Sequence, residues 1–219
     1  MARNYLAHLT SPAVLEAQRH YYGAAQPVAA DPAEDALTPE EVDFIARRDS
    51  FYLATSSASG WPYVQHRGGP MGFLCVLDPK RLGFADVRGN RQMLSTGNLA
   101  TDNRVSLFLM DYVRRERLKI LGRARSLDAR DDPDLADRLT SVEWKGKAER
   151  LVLIDVVSYD WNCPKFITPR YTVAEVEEYA APLRARIAEL ERQLAEARGP
   201  RSEARGLGSD DRGQRTEAG

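Results

Sequence analysis

Leu151-Val152-Leu153-Ile154-Asp155-Val156-Val157 is a dense run of branched apolar residues broken by one charge, and it reads as a strand. Its neighbours decide the fold class. Phe51–Thr55 is strand-like, Ala58-Ser59-Gly60 is a turn, and Trp61–Arg67 alternates as a second strand. Phe73–Leu77 and Leu82–Asp86 flank the turn Asp78-Pro79-Lys80-Arg81. Arg104–Tyr112 and Arg117–Leu127 give two longer strands, and short helices are expected within Arg88–Leu99 and over Asp131–Thr140. Strands at this regular spacing, with few helices between them, predict a mainly β fold: an antiparallel barrel with flanking helices, not a doubly wound sheet.

The barrel is expected over residues 51–172, with a helical extension before it at 1–50. There, Ser11-Pro12 offers a cap and first-turn proline for a helix through about Tyr22. Thr38-Pro39-Glu40-Glu41 combines N-cap, N1 proline and N3 glutamate for a second helix that stops near Asp49. A C-terminal amphipathic helix is expected within 173–198, because Val176, Ala180, Leu183, Ile187, Leu190, Leu194 and Ala197 step by four and three, the spacing of a coiled-coil seam. Pro182 interrupts its early part, so the clean helix is expected from about Leu183 to Arg198. The seam suits dimerisation and packing on the chain's own barrel equally. Residues 199–219 lack apolar anchors and are expected to be disordered.

The 219 residues carry a formal net charge of −1, with 43% hydrophobic and 29% charged residues, ordinary for a globular chain. Near-neutrality argues against a nucleic-acid binder, which needs a basic excess to neutralise phosphates. Two isolated cysteines, Cys75 and Cys163, make no disulfide framework and no CxxC pair, so a reducing, cytoplasmic setting is expected. The opening residues lack a signal-peptide core and no run approaches the ~18 apolar residues of a membrane span. Phosphate-loop, nucleophile-elbow and HExxH motifs are absent, and His8, His20 and His66 are not spaced as metal ligands. No metal site is expected and no catalytic side chain stands out.

The informative segment is Arg88-Gly89-Asn90-Arg91-Gln92, followed by Ser95-Thr96-Gly97-Asn98. Guanidinium groups, an amide, hydroxyls and permissive glycines beside a helix N-terminus are what a phosphate monoester needs. A solvated arginine-rich loop is an equal reading of the same residues. Gln65 and Arg67 alternate on one strand, Arg117 and Lys119 on another, and period two puts each pair on one face. If both faces lie near the Arg88–Asn98 loop, several cations converge where only a bound anion would offset their repulsion. His66 faces the opposite way.

Over about Phe51 to Tyr159 the chain resembles the pyridoxamine 5'-phosphate oxidase family of FMN-binding split barrels. The resemblance rests on Gly60-Trp61-Pro62-Tyr63, Leu82-Gly83-Phe84-Ala85-Asp86, Asn98-Leu99 with Asn103-Arg104-Val105-Ser106-Leu107, and Leu121-Gly122-Arg123-Ala124, in that order. It implies a homodimer with FMN at the interface, acting on a small-molecule substrate, with NADH or NADPH as a candidate electron donor. It places Gln65 at a phosphate-binding arginine of the oxidases, with Arg67 beside it, and Arg117 at a flavin-contacting glutamine, with Lys119 beside it. Leu94 and Ser95 stand where the oxidases carry an Arg-Lys pair; Arg88 and Arg91, in an insertion, are expected to supply that charge, with Asn90, Gln92, Thr96 and Asn98 around them. Trp161 and Asn162 are expected to reach a flavin across the interface. Asp160-Trp161-Asn162-Cys163-Pro164 departs from the oxidases' Arg-x-His-x-Arg substrate motif and resembles a subgroup carrying Asn-Cys-Pro, so oxidation of pyridoxamine phosphate itself is not implied. The alternative is a flavin-binding carrier, sensor or electron-transfer protein without turnover, and a deazaflavin or heme is a third occupant of the same fold.

Overall fold

Residues 3–140, 147–161 and 165–198 are described by a computed structural model. Asn162, Cys163 and the 199–219 tail, each subject to an expectation above, lie outside them. Seven strands, β1 (Ser50–Ser56), β2 (Pro62–Gly68), β3 (Cys75–Asp78), β4 (Arg81–Val87), β5 (Arg104–Asp111), β6 (Glu116–Asp128) and β7 (Ala148–Trp161), form one antiparallel sheet in the order β2-β1-β5-β6-β7-β4-β3. The sheet curls until its ends face each other. Phe51 on β1 stacks on Phe73 and meets Phe84 on β4 edge-on, with ring centroids 5.5 and 5.4 Å apart, and Arg67 on β2 reaches Asp86 on β4 at 2.6 Å. The sheet's ends meet through side chains and the ladder does not run from one to the other, which makes the architecture a split barrel.

The apolar run at 151–157 is legible as a strand buried on both faces. Val152, Ile154 and Val156 point into the main core with Phe51, Leu53, Phe84, Leu107, Leu118 and Ile120, whereas Leu151 and Leu153 join a smaller core with Ala85, Ala129 and Leu139. Leu139 belongs to α5 (Pro133–Leu139), which Asp132 caps by accepting from the Leu135 amide at 3.0 Å. Halfway along, the β6–β7 register shifts: Leu121 pairs with Ser158 but Gly122 with Val156, so Val157 is an extra residue. A Cβ on Gly122 would stand 2.6 Å from Ile154 Cγ2 and 2.9 Å from the Asp155 carbonyl oxygen, a position only glycine fills without displacement. Beyond the bulge the inward phase changes from even to odd numbers, and Tyr159 and Trp161 pack against the main core.

Short helices cover the barrel. In α1 (Arg3–Leu9) Tyr5 is buried, and α2 (Pro12–Tyr22) is capped by Ser11. At α3 (Pro39–Ala46) the expected capping box forms, with Glu41 accepting from the Thr38 amide at 2.8 Å. Arg48 ties the exit of α3 to β5 through Asp111 at 2.8 Å and the Met110 carbonyl at 3.0 Å. The eight-residue α4 (Leu94–Thr101) joins β4 to β5.

The chain divides into two compact units between Arg170 and Tyr171. The second contains α6 (Val173–Arg198), one continuous helix of 26 residues that contains Pro182 and buries none of its side chains. The expected start at Leu183 is corrected: the Thr172/Glu175 capping box begins the helix about three turns earlier, with the Thr172 amide donating to Glu175 at 2.7 Å, and Pro182 removes one backbone donor without ending the helix. Among the described residues no helix is long and apolar enough to cross a membrane.

Candidate functional site

Where the ends of the sheet meet, a cleft of about 80 Å3 opens between β2, β4, the start of β7 and the head of α4. The alternation of β2 sends Tyr63, Gln65 and Arg67 to its inner, half-buried side and Val64 and His66 outward, where His66 packs edge-on against Tyr52. Antiparallel pairing sets Asp86 opposite Arg150. Asp86, nearly buried, accepts from Arg67 at 2.6 Å and from Arg150 at 2.9 Å, so one carboxylate holds two guanidinium groups. The Arg67 guanidinium also lies 5.6 Å from the centroid of the Phe84 ring. Its Nε is buried and has no hydrogen-bond partner.

The opposite wall is the turn into α4. Arg91 and Met93 both have positive φ, 62° and 58°, a conformation that costs a side-chain-bearing residue about 1–2 kcal/mol and therefore marks a turn held in shape by its surroundings. Asn90 and Gln92 brace it: the Gln92 amide donates to Asn90 Oδ1 at 3.1 Å. The turn leaves Met93, which offers no capping oxygen, at the N-cap of α4, while Ser11, Thr38 and Asp132 cap α2, α3 and α5 through their side chains. The first amides of α4 thus keep their capacity for an anion. Ser95, in the first turn and buried, donates its hydroxyl to Gln65 Oε1 at 3.0 Å and locks the two walls together.

Of the expected site residues, Gln65, Arg67, Asn90, Arg91, Gln92, Ser95 and Thr96 line this cleft. Arg88 is exposed and is not among its lining residues. Asn98 sits further along α4 and donates to Thr55 on β1 at 2.9 Å. Asp86, Glu149 and Arg150 are additions that the sequence reading missed; the Asp86–Arg150 register depends on pairing two strands across 64 residues of sequence, and the only local signal was an aspartate closing an otherwise apolar strand.

The second expected stripe lies elsewhere and is largely self-satisfied. Lys119 ion-pairs with Asp160 at 2.7 Å and stands 4.7 Å from the Tyr5 ring centroid. Trp161 donates Nε1 to Glu41 at 2.6 Å and meets Phe44 edge-on. Burial opposes ionisation of Glu41, but hydrogen bonds from Thr38 and Trp161 outweigh it and hold the carboxyl below its ordinary value of 4.5. Burial, reinforced by the Glu41 charge, pushes the Tyr159 phenol up to about 12. Arg117 is the exception in this region, with a buried Nε that has no partner. Within one chain, then, Arg117, Lys119 and Trp161 do not line the cleft at the α4 turn, and of the arginines that do, Arg67 and Arg150 share Asp86 as counter-ion.

Residues 37–154, more than half of the chain, match the family profile of pyridoxamine 5'-phosphate oxidase. No curated protein matches the sequence significantly. Among solved structures, HupZ of Group A Streptococcus is 14% identical over 62% of this chain and 98% of that one, with a TM-score of 0.46. A putative pyridoxamine 5'-phosphate oxidase of Lactobacillus delbrueckii subsp. is 22% identical over 57% and 93%, with a TM-score of 0.45. An FMN-binding protein of Syntrophomonas wolfei is 10% identical over 57% and 87%, with a TM-score of 0.42. The profile match runs from the foot of α3 into β7 and takes in every wall of the cleft, and on that match the chain belongs to the pyridoxamine 5'-phosphate oxidase family.

Proposed function

We propose that the chain is an FMN-binding oxidoreductase that acts on a small substrate and holds the FMN phosphate in the cleft beside Arg67. The observation that carries this reading is the pairing of a buried, unpartnered Arg67 Nε with the head of α4, which no side chain caps. A phosphate monoester accepts from both kinds of donor. Three guanidinium groups, of Arg67, Arg91 and Arg150, face two carboxylates, of Asp86 and Glu149, so the cleft keeps a positive excess suited to an anion. Ser95 and Thr96 add hydroxyls.

Size separates the two ends of the ligand. Ordinary small-molecule pockets hold about 300–1,000 Å3, so 80 Å3 takes a phosphoryl group and leaves the ring outside. A surface beyond this cleft must then cover the ring, and in our reading a second copy of the chain supplies it, with Arg117 the side chain of the distant stripe that retains an open donor. When bound, FMN supplies the redox chemistry; this chain's residues anchor its phosphate, orient it and fix Gln65 beside it.

The test compares FMN with riboflavin by fluorescence titration of the purified chain. FMN should bind at least tenfold more tightly, because riboflavin lacks the phosphate. Equal affinities would remove the phosphate from the cleft, and failure of both to bind would remove the flavin. Anaerobic NADH or NADPH should bleach the bound flavin; a flavin that stays oxidised with both would favour a carrier without turnover.

A further inference from the structure

We propose that α6 pairs with α6 of a second copy of this chain as a parallel, in-register two-stranded coiled coil. The helix is amphipathic over its whole length: Val173, Ala180, Ile187 and Leu194 fall at the a positions of a heptad, and Val176, Leu183, Leu190 and Ala197 at the d positions. None of these side chains is buried, and Leu183 and Ile187 are 67% and 55% exposed. The stripe continues into an apolar groove of about 440 Å3 lined by Tyr171, Val176, Tyr179, Ala180 and Leu183. A helix in water draws most of its stability from burying such a face, and no side chain of α6 is buried.

The flanking positions choose the occupant. Position e carries Glu177, Arg184, Glu191 and Arg198, and position g carries Tyr179, Arg186 and Gln193. In a parallel pair each g residue meets the e residue five positions later on the other helix. Arg186 then meets Glu191 of the second copy, twice by symmetry, and none of the remaining g–e contacts joins like charges. A fully overlapped antiparallel pair would instead set Arg184 and Arg186 each near its own counterpart and Glu177 near Glu191. Sliding that pair by one heptad repairs the charges but strips layers from both ends of the seam. Branched Ile187 at a with Leu183 and Leu190 at d also favours two parallel strands. The outward positions fit a solvated back: alanine fills every b position, Pro182 sits at c, and the bonds of Glu189 to Arg192 and Gln193 run along the outer surface.

The proposal does not rest on the flavin reading, and its test uses the full chain. Val176→Cys places a thiol at a d position near one end of the helix, where only a parallel pair brings it beside its counterpart; Glu178→Cys places one at an outward f position. Under mild oxidation the first should give a covalent dimer, and the second and the unchanged chain at least tenfold less. Adding Ile187→Glu and Leu190→Glu to Val176→Cys should suppress the cross-link at least tenfold, because both changes put charge into the seam. No cross-link at Val176→Cys, equal cross-linking at Glu178→Cys, or a cross-link that survives the two glutamates would each overturn the pairing. The first of these results, together with barrel destabilisation by the two glutamates, would show that the seam lies on the chain's own barrel.

Discussion

The cleft beside Arg67 and the cluster around Glu41 draw on the same kinds of side chain, each with buried carboxylates facing cations or ring donors, yet they end in different states. Around Glu41, Trp161 Nε1, the Thr38 amide and the Thr38 hydroxyl all converge on one carboxylate at 2.6–2.8 Å, and Lys119 is neutralised by Asp160 nearby. Around Arg67, one carboxylate serves two guanidinium groups, a buried Nε goes unpaired and a helix start lacks a cap. Polar residues on a barrel do not by themselves point to a binding site; a buried unfilled donor beside an uncapped helix start is the better pointer.

The comparison breaks most readily at Glu41. Glu41→Ala should cost about 2–4 kcal/mol of stability, since it deletes a cap and strands the Trp161 donor, while FMN affinity changes by less than about twofold. Chemical denaturation and a flavin titration on the same variant check both halves, and a large loss of affinity would merge the two regions. The same carboxyl sets a pH dependence. Its pKa is lower folded than unfolded, so its contribution is present above the ordinary value of 4.5 and is lost as pH falls through the folded value. Denaturation midpoints of the parent should therefore decline below pH 4.5, and Glu41→Gln should flatten that part of the decline; an unchanged profile would place the acid sensitivity elsewhere.

Arg67→Ala should weaken FMN about tenfold to a hundredfold, the worth of one charge-assisted hydrogen bond set, and should leave riboflavin binding nearly unchanged. Equal weakening of both ligands would point to a collapsed cleft. Met93→Gly relieves a left-handed residue and should change stability by about 1 kcal/mol or less in the stabilising direction; a clear loss would show that the Met93 side chain contributes packing. The smallest effect is expected for Lys119→Ala, whose FMN affinity should stay within about twofold. A tenfold loss there would return Lys119 to the flavin, across an interface between copies.

The strands, their order along the chain and the caps at Ser11 and Thr38 were legible because periodicity and capping chemistry are local. The same holds for the inward side of β2, where Gln65 and Arg67 follow from period two. The partnership of Asp86 with Arg150 was not legible, since it depends on which strand of seven lies beside β4. Nor was the fate of Lys119 and Trp161: the composition of their strands resembles that of β2, and only folding showed that Asp160 and Glu41 were waiting for them. The continuity of α6 through Pro182 was missed because a single lost amide is a local penalty, whereas a helix of 26 residues is held by its whole length.

The extra residue at Val157 acts as a parity switch on β7. Before it, even-numbered side chains face the main core; after it, odd-numbered ones do. Deleting that one residue would close the bulge and keep Tyr159 and Trp161 on their present side, because Ser158 already pairs with Leu121; what would be lost is the Val157 carbonyl, which accepts from the Asp35 amide at 2.9 Å. The bulge thus gives the strand an outward carbonyl for the segment around Asp35 without disturbing the pairing on either side of it, that of Asp86 with Arg150 included.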